Sequence, residues 1–178
     1  MTGIIMLGVT TSGKSTIGKY LANELGLRYI SSGDIARQMH VDELLNKGEL
    51  APEDEMRKRI LEAINDTQVS YVLDGCPRFY EQYAWLKGSI DHRLVFMDIY
   101  IAPCIAFARS AERMRDDDKF ASVQKKIDQY IDAVEPMIRY IAEHEKSYYR
   151  IANNDGEDAK KPIALAIARY ELNGSSEI

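Results

Sequence analysis

The chain has 178 residues, 46% of them hydrophobic, which is enough for one domain with a buried core. A formal charge of −5 at pH 7 argues against binding to nucleic acid, and two isolated cysteines, Cys76 and Cys104, predict neither a zinc site nor a disulfide framework. No apolar run approaches the ~20 residues that span a bilayer, and the first residues go directly into a predicted strand, so we expect no membrane segment, no signal peptide and a cytoplasmic protein.

The first predicted strand is followed by a glycine-rich turn at residues 8–16. The turn reads GVTTSGKST and matches the pattern G-x-x-x-x-G-K-[ST] without substitution, and apolar residues at helical spacing follow it. Gly8 and Gly13 let the backbone fold tightly and aim N–H groups inward, and the helix N-terminus adds about half a positive charge. The pattern predicts that Lys14 contacts the β- and γ-phosphates of a nucleotide and that Ser15 ligates Mg²⁺. A turn that binds no ligand is disfavoured by the flanking strand and helix.

Strand-like and helix-like segments alternate along the chain. Strands are predicted at residues 4–7, 28–30, 70–73, 94–101 and 148–151. Helices are predicted at residues 17–25, 35–39, 82–87 and 161–172, from Pro52, from Pro103, and along an amphipathic stretch that Pro136 kinks or divides and that ends near Glu145. This alternation predicts an α/β three-layer sandwich with a five-stranded parallel sheet. We expect one monomeric domain over residues 1–172 and a loose tail over residues 173–178.

Polar residues just after the strands form the candidate site, because ligands bind at the edge where the carboxyl ends of parallel strands meet. Asp74 ends one strand and would lie near Mg²⁺, or else it would cap a helix. Arg78 follows Pro77 and can present two N–H groups to a phosphate. The further basic residues, which would neutralise phosphate charge or else form a solvated basic face, are Arg109, Arg113, Arg115, Lys125 and Lys126.

Five motifs in order resemble the adenylate kinase and nucleoside monophosphate kinase family over essentially the whole chain. They are the turn at residues 8–16, SSGDxxR at 31–37, GELAP at 48–52, DGCPR at 74–78 followed by Gln82, and RDDD at 115–118. The resemblance implies a P-loop NTPase fold and Mg²⁺-dependent transfer of the γ-phosphoryl group of ATP to a nucleoside monophosphate, without zinc. It also implies that no general base is needed, because the acceptor phosphate is already a nucleophile.

The resemblance further implies roles for individual residues. Those expected to bind ATP are Gly8, Thr10, Thr11, Ser12, Gly13, Lys14, Ser15, Thr16 and Arg109, the last of them over the base. Those expected to bind the monophosphate are Ser32, Gly33, Arg37, Leu50, Ala51, Gly75, Arg78 and Gln82. The catalytic charges are expected at Lys14, Arg78, Arg109, Arg113, Arg115 and Lys126. The residues expected to hold the metal are Ser15 and Asp74.

Some positions depart from the family pattern. Cys76 stands where the family usually has Phe, and Lys126 stands where a catalytic Arg is usual. The monophosphate-binding arm, about residues 31–66, and the lid, about residues 109–118, are both short, and the lid has no zinc-binding cysteines. In a second possible alignment Arg109 matches the next family arginine, so that the lid is merely short and one arginine is missing.

Gln82 lies four residues after Arg78, where the adenylate kinases that this chain resembles carry an amide near the acceptor base. An amide has a donor and an acceptor that match the amino group and ring nitrogen of adenine, so AMP or dAMP is the predicted acceptor. CMP, UMP and deoxynucleoside monophosphates stay open as acceptors, because an amide can flip to suit another base. The sequence is also compatible with a metabolite kinase of the gluconate or shikimate type and with a non-catalytic nucleotide-binding module.

Overall fold

The structure, a computed structural model, describes residues 1–39, 52–113, 120–156 and 158–174. Within these residues five strands form one sheet: β1 (Thr2–Leu7), β2 (Arg28–Ser31), β3 (Tyr71–Asp74), β4 (Arg93–Tyr100) and β5 (Tyr148–Ala152). Their order in the sheet is β2-β3-β1-β4-β5, and all neighbouring strands are parallel. The predicted five-stranded parallel sheet is therefore confirmed.

Helices connect the strands and complete the chain after β5. They are α1 (Lys14–Leu25), α2 (Ser32–Gln38), α3 (Glu53–Asn65), α4 (Tyr80–Ser89), α5 (Pro103–Arg113), α6 (Phe120–Gln129), α7 (Glu135–His144) and α8 (Lys161–Asn173). The first turn of α3 follows Pro52 and contains three acidic residues, which complement the positive end of the helix dipole. The sequence predicts Pro52 at the first position of this helix; in the structure Pro52 is the N-cap, and the helix begins one residue later, at Glu53.

Two hydrophobic layers lie on opposite faces of the sheet. The central strand β1 is buried along its whole length, because helices cover both of its faces. The layer under α1 and α8 includes Met6, Ile17, Leu21, Ala164 and Ala168. The layer under α3, α4 and α7 includes Ile5, Ile60, Leu86, Phe96 and Ile138. This arrangement confirms the predicted three-layer α/β sandwich, and it leaves the carboxyl ends of the strands as the edge where a ligand can bind.

Pro136 marks a boundary in the long amphipathic helix. A π-helical segment, Tyr130–Val134, separates α6 from α7, and the N–H of Glu135 bonds to the C=O of Tyr130, five residues earlier. Pro136 then lies in the first turn of α7. A proline has no N–H to donate and its ring crowds the preceding turn, so the wider π-helical turn accommodates it. The proline correctly predicted a boundary, but nothing in the sequence predicted the π-helical turn.

The predicted start of the C-terminal tail requires a correction. Helix α8 includes Asn173, and the N–H of Gly174 bonds to the C=O of Tyr170 at 2.8 Å. Both residues therefore belong to the helix and its cap, although the sequence predicts a tail that begins at residue 173. Residues 175–178 lie outside the described part of the chain.

Gly3 in β1 is expected not to tolerate a side chain. A Cβ there would lie 2.6 Å from Cζ and Oη of Tyr71, whose ring is fully buried and whose hydroxyl lies 3.0 Å from Nε2 of His92. Gly3→Ala should therefore lower the free energy of unfolding, measured in urea, by about 1–3 kcal/mol, as overpacking does.

The control for this change is Gly88→Ala in α4, where a Cβ would meet nothing within 4 Å. This variant should raise the free energy of unfolding by about 0.5–1 kcal/mol, because alanine restricts the unfolded chain and favours the helix. A Gly3→Ala protein as stable as the wild type would contradict the tight packing of β1 against Tyr71.

Candidate active site

The turn between β1 and α1 packs closely against the neighbouring strand. Gly8 and Gly13 have φ angles of +136° and +90°, and a Cβ on Gly8 would lie 2.4 Å from the carbonyl oxygen of Ile99 in β4. Nζ of Lys14 donates to the C=O of Val9 at 3.1 Å, so the ammonium group lies against the turn. Gly13 precedes α1 and has no side chain to accept from its first N–H groups, which suits an anion at this end.

Arg109 and Asn153 connect this turn to the loop after β5. Asn153 is fully buried, and its Nδ2 donates to the C=O of Ser12 at 2.7 Å. Arg109 in α5 donates from Nη2 to the C=O of Asn153 at 2.9 Å and from Nη1 to the C=O of Thr11 at 3.4 Å. Arg109 thus lies beside the predicted ATP-binding turn, and its role over the base stays a prediction. No motif pointed to Asn153.

The two predicted metal residues, Ser15 and Asp74, are in contact. Oγ of Ser15 donates to Oδ2 of Asp74 at 2.5 Å, and the hydroxyl of Tyr29 donates to the same oxygen at 2.7 Å. Asp74 is 4% exposed, and its buried Oδ1 has no hydrogen-bond partner among the described residues. A hydroxyl beside a carboxylate with an unused oxygen is a hard-oxygen donor set, so these residues fit Mg²⁺ with phosphate oxygens as its other ligands.

Tyr29 in β2 is a site residue that the sequence did not predict. Its pKa is raised, chiefly because the phenol is buried and also because the charge of Asp74 lies close to it. The phenol therefore keeps its proton and acts as a hydrogen-bond donor to Asp74. Nothing in the local sequence distinguishes this tyrosine from those that pack elsewhere in the core.

The start of α2 and the loop after β3 touch each other and contain several predicted monophosphate-binding residues. Oγ of Ser31 accepts from the N–H of Asp34 at 3.1 Å and caps α2. Ser32 is buried against Gly75, where φ is +85° and a Cβ would lie 2.5 Å from Oγ of Ser32. Nε of Arg78 donates to the C=O of Gly75 at 2.8 Å. A side chain at residue 75 would clash with Oγ of Ser32 and would also be strained at this φ angle.

Two arginines, one in α2 and one in the loop after β3, are open to solvent. Arg37 in α2 pairs with Asp34, and its hydrogen bond is the main cause that lowers the pKa of that carboxyl group. A Cβ on Gly33 would lie 3.6 Å from Nη2 of Arg37, so the guanidinium lies over the first turn of α2. Arg78 is also exposed. A phosphate can reach either guanidinium group, and both can offer paired N–H donors.

Gln82 lies in the first turn of α4, and both ends of its amide are engaged. The side chain is 8% exposed; its Oε1 accepts from the N–H of Arg78 at 2.7 Å. Its Nε2 donates to Oε2 of Glu53, in the first turn of α3, at 2.7 Å. Sequence reasoning identified Gln82 but missed Glu53, which in the sequence is only an acidic residue at the start of a helix.

Some predicted residues lie outside the described part of the chain. These are Leu50, Ala51 and Arg115, together with the side chains of Arg113 and Lys126. Across residues 1–39, 52–113, 120–156 and 158–174, no group of three or more His, Cys, Asp or Glu residues could hold a metal ion. In the same residues, no helix has the length and apolar character required to cross a membrane.

Comparison with known proteins gives consistent results. The family model described as adenylate kinase matches residues 6–146. Adenylate kinase 1 of Synechocystis sp. (strain PCC 6803) is 31% identical over 182 residues, covering 94% of this chain and 95% of that protein. Adenylate kinase 1 of Nostoc sp. (strain PCC 7120) is 29% identical over 163 residues, covering 82% of this chain and 88% of that protein.

The fold is also similar to that of a solved gluconokinase from Sinorhizobium meliloti 1021. The TM-score is 0.73, and the match covers 99% of this chain and 98% of that chain. The sequences are only 17% identical, so the likeness concerns the fold alone.

Asp74 is expected to determine how strongly Mg²⁺ binds with ATP. Asp74→Asn keeps the shape of the side chain but removes its charge, and should raise the Mg²⁺ concentration for half-maximal binding of a fluorescent ATP analogue by about tenfold or more. Tyr29→Phe removes one donor to the same oxygen but leaves the carboxylate, and should change that concentration less than Asp74→Asn does. An unchanged Mg²⁺ requirement in Asp74→Asn would contradict the metal assignment.

Proposed function

This chain belongs to the adenylate kinase family and is an ATP-dependent kinase, and from that premise we propose that it phosphorylates a nucleoside monophosphate. AMP is the proposed acceptor, so that ATP and AMP give two molecules of ADP. The same site would accept dAMP if the sugar hydroxyl is not recognised.

The observation that carries this proposal is the position of the loop after β3. On one side Asp74, the last residue of β3 before the loop, contacts Ser15 beside the phosphate turn at 2.5 Å. On the other side Gly75 packs against Ser32, and Arg78 donates to Gly75 at 2.8 Å. One short loop therefore separates the turn proposed to bind the donor phosphates from the cationic side chain proposed to bind the acceptor phosphate. Two adjacent anion sites suit an acceptor that itself carries a phosphate.

The proposed mechanism relies on positioning and on charge neutralisation. Lys14 and the N-terminal N–H groups of α1 would hold the donor phosphates, and Arg37 and Arg78 would hold the acceptor phosphate. Mg²⁺ held by Ser15 and Asp74 would neutralise charge on the ATP phosphates. The acceptor phosphate oxygen is already a nucleophile, so no side chain has to remove a proton from it.

The remaining arginines are proposed to act on ATP and on the transferred group. Arg109 lies between the phosphate turn and the loop after β5, which suits a guanidinium that covers the ATP base. Arg113 is the last residue of α5, four residues after Arg109. We propose that Arg113, Arg115 and Lys126 neutralise the charge that spreads over the transferred phosphoryl group.

Lys14→Ala should abolish most of the activity and leave the fold intact. The change removes the positive charge closest to the predicted phosphates, and kcat/KM should fall by about 100-fold or more. Thermal unfolding should be nearly unchanged. The control is Lys87→Ala in α4, which removes a lysine paired with Glu145 at 3.0 Å and should retain wild-type activity. An active Lys14→Ala protein would contradict the assignment of the phosphate turn.

The acceptor is tested by comparing kcat/KM, with Mg²⁺ and ATP, for AMP, dAMP, CMP, UMP, GMP, dTMP, gluconate and shikimate. AMP or dAMP should give the highest value. A kcat/KM for another monophosphate more than tenfold above the values for AMP and dAMP corresponds to about 1.4 kcal/mol in transition-state stabilisation. Such a result would contradict the adenine assignment but not the reaction class. Turnover of gluconate or shikimate alone would contradict the reaction class. ATP binding without turnover of any acceptor would indicate a non-catalytic module.

A further inference from the structure

The amide of Gln82 is held in one orientation by partners on both of its ends. The N–H of Arg78 can only donate, so it requires Oε1, and the carboxylate of Glu53 accepts, so it requires Nε2. Sγ of Cys76 lies 3.8 Å from Oε1, where the thiol is placed to donate to this oxygen. A flipped amide would place its NH₂ group against the N–H of Arg78 and its oxygen against the carboxylate of Glu53, so both hydrogen bonds would be lost.

These partners determine what Gln82 has left to offer a ligand. Two donors already face Oε1, and one of the two Nε2 hydrogens is bound to Glu53. The second Nε2 hydrogen has no partner among the described residues, so towards a ligand the amide is a donor. The carboxylate of Glu53, to which Nε2 already donates at 2.7 Å, places acceptor oxygens beside this donor.

Glu53 is held firmly and still has the capacity to accept. Its Oε1 accepts from Nε of Arg57 at 2.6 Å, and the guanidinium of Arg57 lies over the ring of Trp85, 5.5 Å from the centroid. An ionised carboxylate has about four acceptor positions, of which two are used here. The Glu53 side chain is 30% exposed, so a ligand can reach it.

We propose that Glu53 is a specificity-determining residue that reads the acceptor base together with Gln82. Nε2 of Gln82 donates to an unprotonated ring nitrogen, and the carboxylate of Glu53 accepts from the amino group next to that nitrogen. The inference rests on the proposed function, since it requires a monophosphate whose phosphate lies at Arg78 and whose base extends towards α3 and α4.

Only some bases match this pair of groups. Adenine has an acceptor nitrogen, N1, beside an amino group, N6, and cytosine has the same pattern at N3 and N4. Hypoxanthine, guanine, uracil and thymine have the reverse, a ring N–H beside a carbonyl oxygen. Against these bases the Glu53 carboxylate would face an oxygen and the Gln82 amide N–H would face an N–H. Polar groups that a bound base covers and leaves unpaired in this way give strong discrimination.

The wild-type protein tests this with AMP and IMP, which differ only along this edge of the base. IMP has an oxygen in place of the amino group and a hydrogen on N1. With Mg²⁺ and ATP, kcat/KM for AMP should exceed that for IMP by about 100-fold or more. For the same reason, kcat/KM for CMP should exceed that for UMP. Equal values for AMP and IMP, or a preference for IMP, would overturn the inference.

Glu53→Gln changes the reading of the base and keeps the size of the side chain. The new amide has an oxygen for Nε2 of Gln82 and an N–H that can donate to the oxygen of hypoxanthine. The AMP-to-IMP ratio should therefore fall by about tenfold or more. Glu55→Gln is the matched control, because Glu55 lies in the same helix and pairs with Arg59 at 2.7 Å, as Glu53 pairs with Arg57. It should leave the ratio unchanged.

Purine riboside monophosphate, which has a hydrogen in place of the amino group, separates base reading from a purely structural role of Glu53. Glu53→Gln should lower kcat/KM for AMP but change it for this compound by no more than about twofold, because no amino group is present to lose its acceptor. Equal losses for both compounds would show that Glu53 only positions α3, and would overturn the inference.

The outcomes also separate this inference from the proposed function. Thermal unfolding identifies a variant that fails to fold. In that case the wild-type protein is compared on AMP and purine riboside monophosphate, and equal kcat/KM values for the two would overturn the inference. Turnover of monophosphates without discrimination between AMP and IMP overturns the base assignment and leaves the proposed function standing. If no nucleoside monophosphate is phosphorylated, the proposed function is wrong and the base assignment is wrong with it.

Discussion

The missing side chain at Gly8 is the constraint on which the candidate active site depends. A Cβ on Gly8 would lie 2.4 Å from the carbonyl oxygen of Ile99, so only glycine lets the turn after β1 lie this close to β4. Because β1 is the middle strand of the sheet, the turn lies between the ends of β3 and β4. Asp74 at the end of β3 and Asn153 after β5 can therefore both reach it, through Ser15 and Ser12. Moving the turn outward would separate all of these contacts at once.

The carboxyl group of Asp74 receives hydrogen bonds from the described part of the chain on only one of its two oxygens. Two hydroxyl groups, from Ser15 and Tyr29, donate to Oδ2, whereas the buried Oδ1 has no partner among the described residues. A buried polar atom without a hydrogen bond costs about 1–3 kcal/mol, and more when it is charged. Proteins retain such groups mainly at functional sites, where a ligand completes the interactions. A cation beside Ser15 would satisfy both the charge and the unpaired oxygen.

The fold and the phosphate turn could be predicted from the sequence because their signals are local. Alternating apolar segments indicate the strands and helices, and the turn is recognised from nine consecutive residues. The contacts of Tyr29, Asn153 and Glu53 could not be predicted, because their partners are 45, 141 and 29 residues away. A tyrosine in a strand, an asparagine in a loop and a glutamate in the first turn of a helix are each common for purely structural reasons. Only the folded chain shows which polar group each of them meets.

Gln82 shows why identifying a site residue from sequence does not determine what it recognises. In the sequence its amide has a donor side and an acceptor side, so it can be turned to match any base. In the structure Arg78 and Cys76 face the oxygen, and the amide nitrogen contacts an acceptor that belongs to Glu53 in a different helix. If the base is read by α3 and α4 together, base recognition and the position of α3 are coupled. A base without an amino group would then lose a hydrogen bond and, with it, its direct contact to α3.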